Sequence, residues 1–167
     1  MAPEATSSSV SLETRADLAG FLSSLGDRPP PHLDQLAIAA ADDAWSGVDC
    51  LSCARCCRSM TPRFTSVDIK RIAVHFRIAS SAVKSRWLTQ DKDGSWMGRS
   101  TPCAFLNLPT NKCSIYAIRP ADCSGFPHLP ATPAASYLDM HRQNLKYCPA
   151  TLNMVQLLQQ KLLAGPR

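Results

Sequence analysis

Four cysteines stand within eight residues: Cys50, Cys53, Cys56 and Cys57, in the run CLSCARCC. Thiolates packed this tightly repel one another unless a cation sits between them. Two intervening residues let a tight turn aim both sulfurs at one ion, as zinc with its ~2.3 Å bonds to sulfur requires. The C-x-x-C-x-x-C spacing equally suits an iron–sulfur cluster such as 4Fe-4S, whose irons are held by cysteine thiolates. The run therefore predicts a metal site, with iron–sulfur favoured by the three-cysteine run and zinc the alternative. Cys103, Cys113 and Cys123 follow at ten-residue intervals, and Cys148 comes later. A tetrahedral ion takes four ligands, so eight sulfurs can serve two sites. Cys56 and Cys57 are chain neighbours whose side chains are expected to leave the backbone in different directions. The knuckle should then split. Cys50, Cys53 and Cys56 would join one downstream cysteine, and Cys57 would join other downstream partners. One cubane with four remaining structural thiols is the alternative.

The surroundings of these cysteines carry charge. Arg55, Arg58 and Arg119 adjoin or lie near the thiols, where a cation stabilises the thiolate form. Pro120 biases Arg119 towards an extended backbone. The planar guanidinium then suits carbonyls, a carboxylate or the negative cage itself. Arg119 and Arg58 are accordingly expected to support the ligands from behind. His128, just after the Phe126-Pro127 step, is the best of the four histidines for an extra ligand or a hydrogen-bond donor to one. His75 is expected to be a half-buried packed histidine, and Asp122 a capping or turn residue. No Ser–His–Asp order, P-loop or GxGxxG is present.

The wider text reads PCAFL at 102–106, CSIYAIRPADCSGFP at 113–127 and YCP at 147–149. Together with CLSCARCCR it closely resembles the CxxCxxCC cysteine-cluster family, also called YkgJ-like, over about Cys50 to Cys148. That family often has glycine just before the double cysteine, where this chain has Ala54 and Arg55. The resemblance implies a zinc- or iron-chelating domain and says little about mechanism.

Composition bounds the alternatives. A chain of 167 residues can bury roughly 70% of its unfolded surface, so the cysteines are not staples for want of a core. An even cysteine count permits disulfides. The start, MAPEATSSSVSLETRADL, has no basic segment followed by an apolar run, so no secretory leader is expected. No stretch reaches the ~20 apolar residues of a membrane span. A cytoplasmic setting, which keeps thiols reduced, is expected. The formal charge of +5 falls to about +1 if all eight cysteines become thiolates around two divalent ions. The basic residues are scattered among acids, so no nucleic-acid surface is expected.

The elements that must position the thiols can be read in outline. Residues 1–10 are small and polar, a disordered tail. Residues 11–26 place Leu18, Phe21, Leu22 and Leu25 at helical spacing, ended by Gly26, and residues 32–45 place Leu33, Leu36 and Ala40 on a second stripe. This pair, 11–46, packs as a cover or serves as a partner-binding arm. Thr65 to Asp68 forms a capping box for a helix burying Ile69, Ile72, Ala73 and Phe76. A helix from Ser80 or Ser81 turns Val83, Trp87 and Leu88 inward. A short strand pair is expected around Trp96, and a single helical turn at 115–118. The stretch from Pro149 is amphipathic through Leu152, Val155, Leu158 and Leu162. The expected fold is mainly α. A small helical shell would surround a loop-rich, cysteine-ligated metal core with at most a short β-hairpin. The cysteine-cluster domain would span 47–150, and a C-terminal helix, 151–167, would pack on it. Three functions fit: a metal-binding protein for electron transfer, sensing or metal handling; a metal-dependent enzyme; or a closed structural-zinc interaction module. Thiolate-rich sites are more often closed than catalytic.

Overall fold

The computed structural model describes residues 12–129 and 132–165; the tail expected over 1–10 lies outside them. In chain order the elements begin with α1 (Leu12–Asp27), α2 (Leu33–Trp45), α3 (Cys50–Cys53), α4 (Arg55–Ser59) and β1 (Arg63–Phe64). Next come α5 (Ser66–Phe76), α6 (Ser80–Trp87), β2 (Leu88–Gln90), β3 (Trp96–Gly98), β4 (Leu106–Asn107) and β5 (Lys112–Cys113). The chain continues through a 3₁₀ turn (Tyr116–Ile118), α7 (Ala121–Gly125), a second 3₁₀ turn (Ala134–Tyr137), α8 (Leu138–Asn144) and α9 (Pro149–Ala164). The fold is mainly α, and its strands are two or three residues long. The described chain forms two compact units, one joining the residues before Gly47 to those after Leu129, the other being Gly47–Leu129.

The first unit is helical. The leucine stripe read in the sequence buries Leu18, Leu22 and Leu25 of α1 against α8 and α9. On α2, Ala40, Ala41 and Ala44 are wholly buried, and their small side chains let α9 approach with Ala150, Met154, Val155 and Leu158. The leading pair of helices is thus packed within this unit. Pro149 opens α9 at a position where its missing amide costs nothing, and Cys148 caps it. The Asp34 carboxylate accepts from the Ala134 amide at 2.6 Å. Residues 132–150, expected within the cysteine-cluster domain, lie in this unit.

The second unit is built on α5 and α6. Thr65 and Asp68 form the expected capping box: the Thr65 hydroxyl accepts from the Asp68 amide, and the Asp68 carboxylate accepts from the Thr65 amide. Antiparallel strands in the order β1-β3-β2 pair Phe64 with Trp96 and Thr89 with Met97. The separate hairpin β4–β5 sets Leu106 opposite Cys113. The apolar centre is Phe64, Ile69, Ile72, Ala73, Val83, Leu88, Phe105 and Ile115, with Trp87, Cys103 and Cys113 packed against it. Two expectations need correction. Phe76 is 38% exposed, and its ring sits at the edge of the centre, 5.1 Å from Trp87 and 6.4 Å from Phe105. His75 is exposed, its ring edge-on to Phe76 at 4.9 Å. Both residues close the last turn of α5, where the helix leaves the core.

Candidate metal centre

The dense run folds as two single-turn helices. Asp49 caps α3 by accepting from the Leu51 amide at 2.9 Å, and Cys50 and Cys53 sit at the two ends of that turn. Ala54 then takes the left-handed conformation, φ 47° and ψ 16°, ending α3 and opening α4. This conformation costs a residue with a β-carbon about 1 kcal/mol. The reversal brings Cys56 and Cys57 onto α4. Their sulfurs stand 3.9 Å apart, which corrects the expectation that these neighbours face apart. Two sulfurs bonded at ~2.3 Å to one tetrahedral ion stand about 3.8 Å from each other. In a cubane each iron takes a single protein sulfur, so such sulfurs are spread much further.

Distant segments are tied to this run. The Cys103 amide donates to the Cys57 carbonyl at 2.8 Å. The Ser114 amide and hydroxyl both donate to the Phe105 carbonyl, fixing the hairpin that carries Cys113. Arg58 donates to the Leu108 carbonyl at 3.0 Å and to the Asn111 side-chain oxygen, joining α4 to the hairpin turn. The Asn111 amide group donates in turn to the Ser52 carbonyl at 3.1 Å, joining the turn to α3. Cys123 rides on α7, where Asp122 accepts from the Arg63 amide at 2.9 Å. Asp122 is therefore an anchor to β1.

The electrostatics group four of the thiols. A hydrogen bond from Cys56 is the largest influence on Cys57. It overcomes burial and, with a backbone amide, brings the Cys57 thiol down from 9.0 to about 7. Burial pushes Cys103 up, and the charges of Cys57 and Cys113 add to this against backbone amide bonds. Burial also raises Cys113, with Cys57 adding and Arg119 opposing. Cys123 is driven up to about 12, first by burial and then by Cys103, Cys57, Asp122 and Cys113. Cys103, Cys113 and Cys123 thus each feel the charge of Cys57, and Cys123 also feels Cys103 and Cys113, although they come from separate segments of the chain.

The remaining expected residues fall as follows. Cys50 is exposed and Cys53 half-buried on α3. Cys148 lies in the helical unit, buried, its sulfur accepting from the Thr151 amide at 3.5 Å. Arg119 has the expected extended backbone, φ −56° and ψ 152°. Its guanidinium lies 4.0 Å over the Tyr116 ring and donates to the Tyr116 carbonyl at 2.8 Å. His128 is half-buried with φ 63°, its amide donating to the Gly125 carbonyl and its ring against Gly125, where a β-carbon would meet the imidazole at 3.2 Å. Sequence reading missed Asn111 and Arg71 and saw Asp68 only as a cap. An asparagine between two short strands is a signal for a left-handed turn residue, and Asn111 has φ 57°.

None of the eight cysteines is joined in a disulfide. Among the described residues no group of three or more His, Cys, Asp or Glu is drawn together to hold an ion. The chemistry of the donor set nonetheless fits a soft transition metal. Four mutually repelling thiols cannot all ionise by themselves, and a cation among them relieves both the repulsion and the burial penalty.

Residues 49–149 match the model of the CxxCxxCC family, described as "Putative zinc- or iron-chelating domain". The chain belongs to this family. No curated protein and no solved structure matches it.

Proposed function

We propose that this protein chelates a zinc or iron ion through four thiolates drawn from Cys56, Cys57, Cys103, Cys113 and Cys123. The observation that carries the reading is the 2.8 Å bond from the Cys103 amide to the Cys57 carbonyl, which joins the dense run to the downstream cysteines; the charge of Cys57 felt at Cys103, Cys113 and Cys123 supports it. Cys57 would be the first ligand to lose its proton, and the other three would follow as the ion draws them in. A site of four thiolates leaves no open position, which favours metal handling or a structural role over catalysis. Arg119, which lowers the Cys113 thiol, would offset the site's charge. Arg58 would hold the knuckle to the hairpin, and His128 would pack behind α7. A reducing compartment such as the cytoplasm suits a chain whose eight cysteines form no disulfide. Among the described residues no helix is long and apolar enough to cross a membrane.

A second reading, an iron–sulfur cluster, is favoured by the C-x-x-C-x-x-C spacing of Cys50, Cys53 and Cys56. Anaerobic purification separates the two. Zinc or iron at one or more per chain without acid-labile sulfide supports direct chelation. Brown protein with stoichiometric sulfide supports the cluster. In the first case Cys57→Ser, Cys103→Ser and Cys113→Ser should each reduce metal content. Wild-type protein that neither retains metal nor takes up zinc or iron under reducing conditions would refute both readings.

A further inference from the structure

Asp68 makes more contacts than a helix cap needs. One carboxylate oxygen, Oδ2, does the local work, accepting from the Thr65 amide at 2.9 Å and the Thr65 hydroxyl at 2.7 Å. The other, Oδ1, reaches a segment far along the chain and accepts from the Ala121 amide at 3.2 Å. It also takes the Arg71 guanidinium at 2.7 Å. Arg71 extends the same connection, donating through Nε to the Ile118 carbonyl at 3.2 Å and through Nη2 to the Arg119 carbonyl at 2.8 Å. The Asp68 side chain is 2% exposed. Residues 118–121 lie between Cys113 and Cys123, and Ala121 is two residues before Cys123. Pro120 has no amide, so Ala121 offers the first donor at the entry to α7.

We propose that Asp68 and Arg71 are positioning residues for the metal site, a paired clamp on α5 that fixes where the Cys123 thiol stands relative to Cys57, Cys103 and Cys113. The proposal rests on the chelation reading above. Its physical basis is that α5 is pinned in the apolar centre by Ile69, Ile72 and Ala73, while α7 buries no residue of its own. The carboxylate and guanidinium transfer the rigidity of the first to the second. Groups that orient ligands from behind typically change metal affinity by about 10- to 100-fold when replaced.

Three variants separate this role from helix capping. Thr65→Ala removes the local hydroxyl bonds and leaves the bonds to 118–121. Arg71→Lys keeps a cation for Asp68 but loses the fork onto the two carbonyls. Asp68→Asn keeps a neutral cap and sets an amide group against the Ala121 amide or Arg71. Two readouts are taken on the full chain: chelator-driven zinc release from zinc-loaded protein, and maleimide labelling of Cys123 in the reduced, metal-free protein, located by mass spectrometry. Arg71→Lys and Asp68→Asn are expected to release zinc at least ~10-fold faster than wild type and to label faster at Cys123. Thr65→Ala should lower the melting temperature with little change in either rate. If both rates simply follow melting temperature across all three variants, the clamp is only structural and the proposal fails. If wild type takes up neither zinc nor iron, the chelation reading fails separately, and the labelling rates still decide whether the clamp holds Cys123.

Discussion

Asn111 ties both cysteine helices to the hairpin turn. It holds φ 57°, accepts from Arg58 on α4, and donates to the Ser52 carbonyl on α3. Replacing it by alanine removes two hydrogen bonds and forces a β-branchless but methyl-bearing residue to keep a left-handed backbone. Each bond is solvent-accessible, so about 0.5–1 kcal/mol is a fair value for each, and the backbone adds about 1 kcal/mol. Asn111→Ala should therefore destabilise the Gly47–Leu129 unit by about 2 kcal/mol. Asn111→Gly tolerates the backbone and loses only the bonds, about 1 kcal/mol. At about 4–8 °C per kcal/mol for a domain of this size, the melting temperature should fall by about 10 °C for alanine and about half that for glycine. Asn111→Asp keeps an acceptor for Arg58 and loses the donor to Ser52, and should fall between wild type and glycine. The assay is thermal unfolding followed by near-ultraviolet circular dichroism under reducing conditions, with zinc release measured in parallel. If Asn111→Gly melts and releases metal as wild type does, the side-chain bridge contributes nothing and the account of how α3 and α4 are held is wrong.

Three further outcomes are expected. Arg119→Lys keeps the charge near Cys113 but loses the flat contact with Tyr116, and should release metal about 10-fold faster than wild type; equal release rates for wild type, lysine and alanine at 119 would mark a surface residue. A strong chelator with reductant should lower the melting temperature of the Gly47–Leu129 unit, while far-ultraviolet helix signal from α1, α2, α8 and α9 persists, because metal binding and folding are coupled at an unclosed site; an unchanged thermal transition would sink that coupling. For Asp68, burial pushes the carboxyl up, but bonds from Thr65, Ala121 and Arg71 outweigh it and leave its pKa below 3.8. The folded value is the lower one, so the carboxylate's stabilisation is complete above about pH 4 and fades as pH falls through the folded pKa. Asp68→Asn, which lacks that carboxylate, should lose less stability than wild type in urea titrations between about pH 5 and pH 3; equal losses would contradict it.

How much could be read beforehand depended on where each segment gets its order. The helices with an apolar stripe were legible: Leu18, Leu22 and Leu25 in α1, Ile69 and Ile72 in α5, and Val155 and Leu158 in α9 are buried as their spacing required. The Thr65–Asp68 box was legible because both its partners lie within one turn. α7 was not, since ADCSG has no stripe, and its place comes from Asp68, 53 residues earlier. The hairpin at 106–113 was missed because two-residue strands leave no alternation to detect. The metal-binding character was plain from the cysteine spacing. The grouping of thiols was not, because Cys57 meets Cys103 through a backbone bond that no spacing encodes.

That division bears on how the site works. Cys103 and Cys113 flank Phe105 and Ile115, which belong to the apolar centre, so these two thiols are set by packing. Cys56 and Cys57 stand on a five-residue helix and Cys123 on another, neither with a buried residue of its own. These are placed by polar bonds: Arg58 to Leu108 and Asn111, Asp122 to the Arg63 amide, and Asp68 and Arg71 to 118–121. Polar bonds at half-exposed positions yield more easily than a close-packed core. With Cys103 and Cys113 set by packing and α7 held to α5 by the buried Asp68 and its partner Arg71, an ion would draw Cys57 in without disturbing Phe64, Ile72 or Val83. The metal site would then close by movement of α4, whose bonds to Leu108 and Asn111 are exposed, with the α5–α6 framework as its fixed reference.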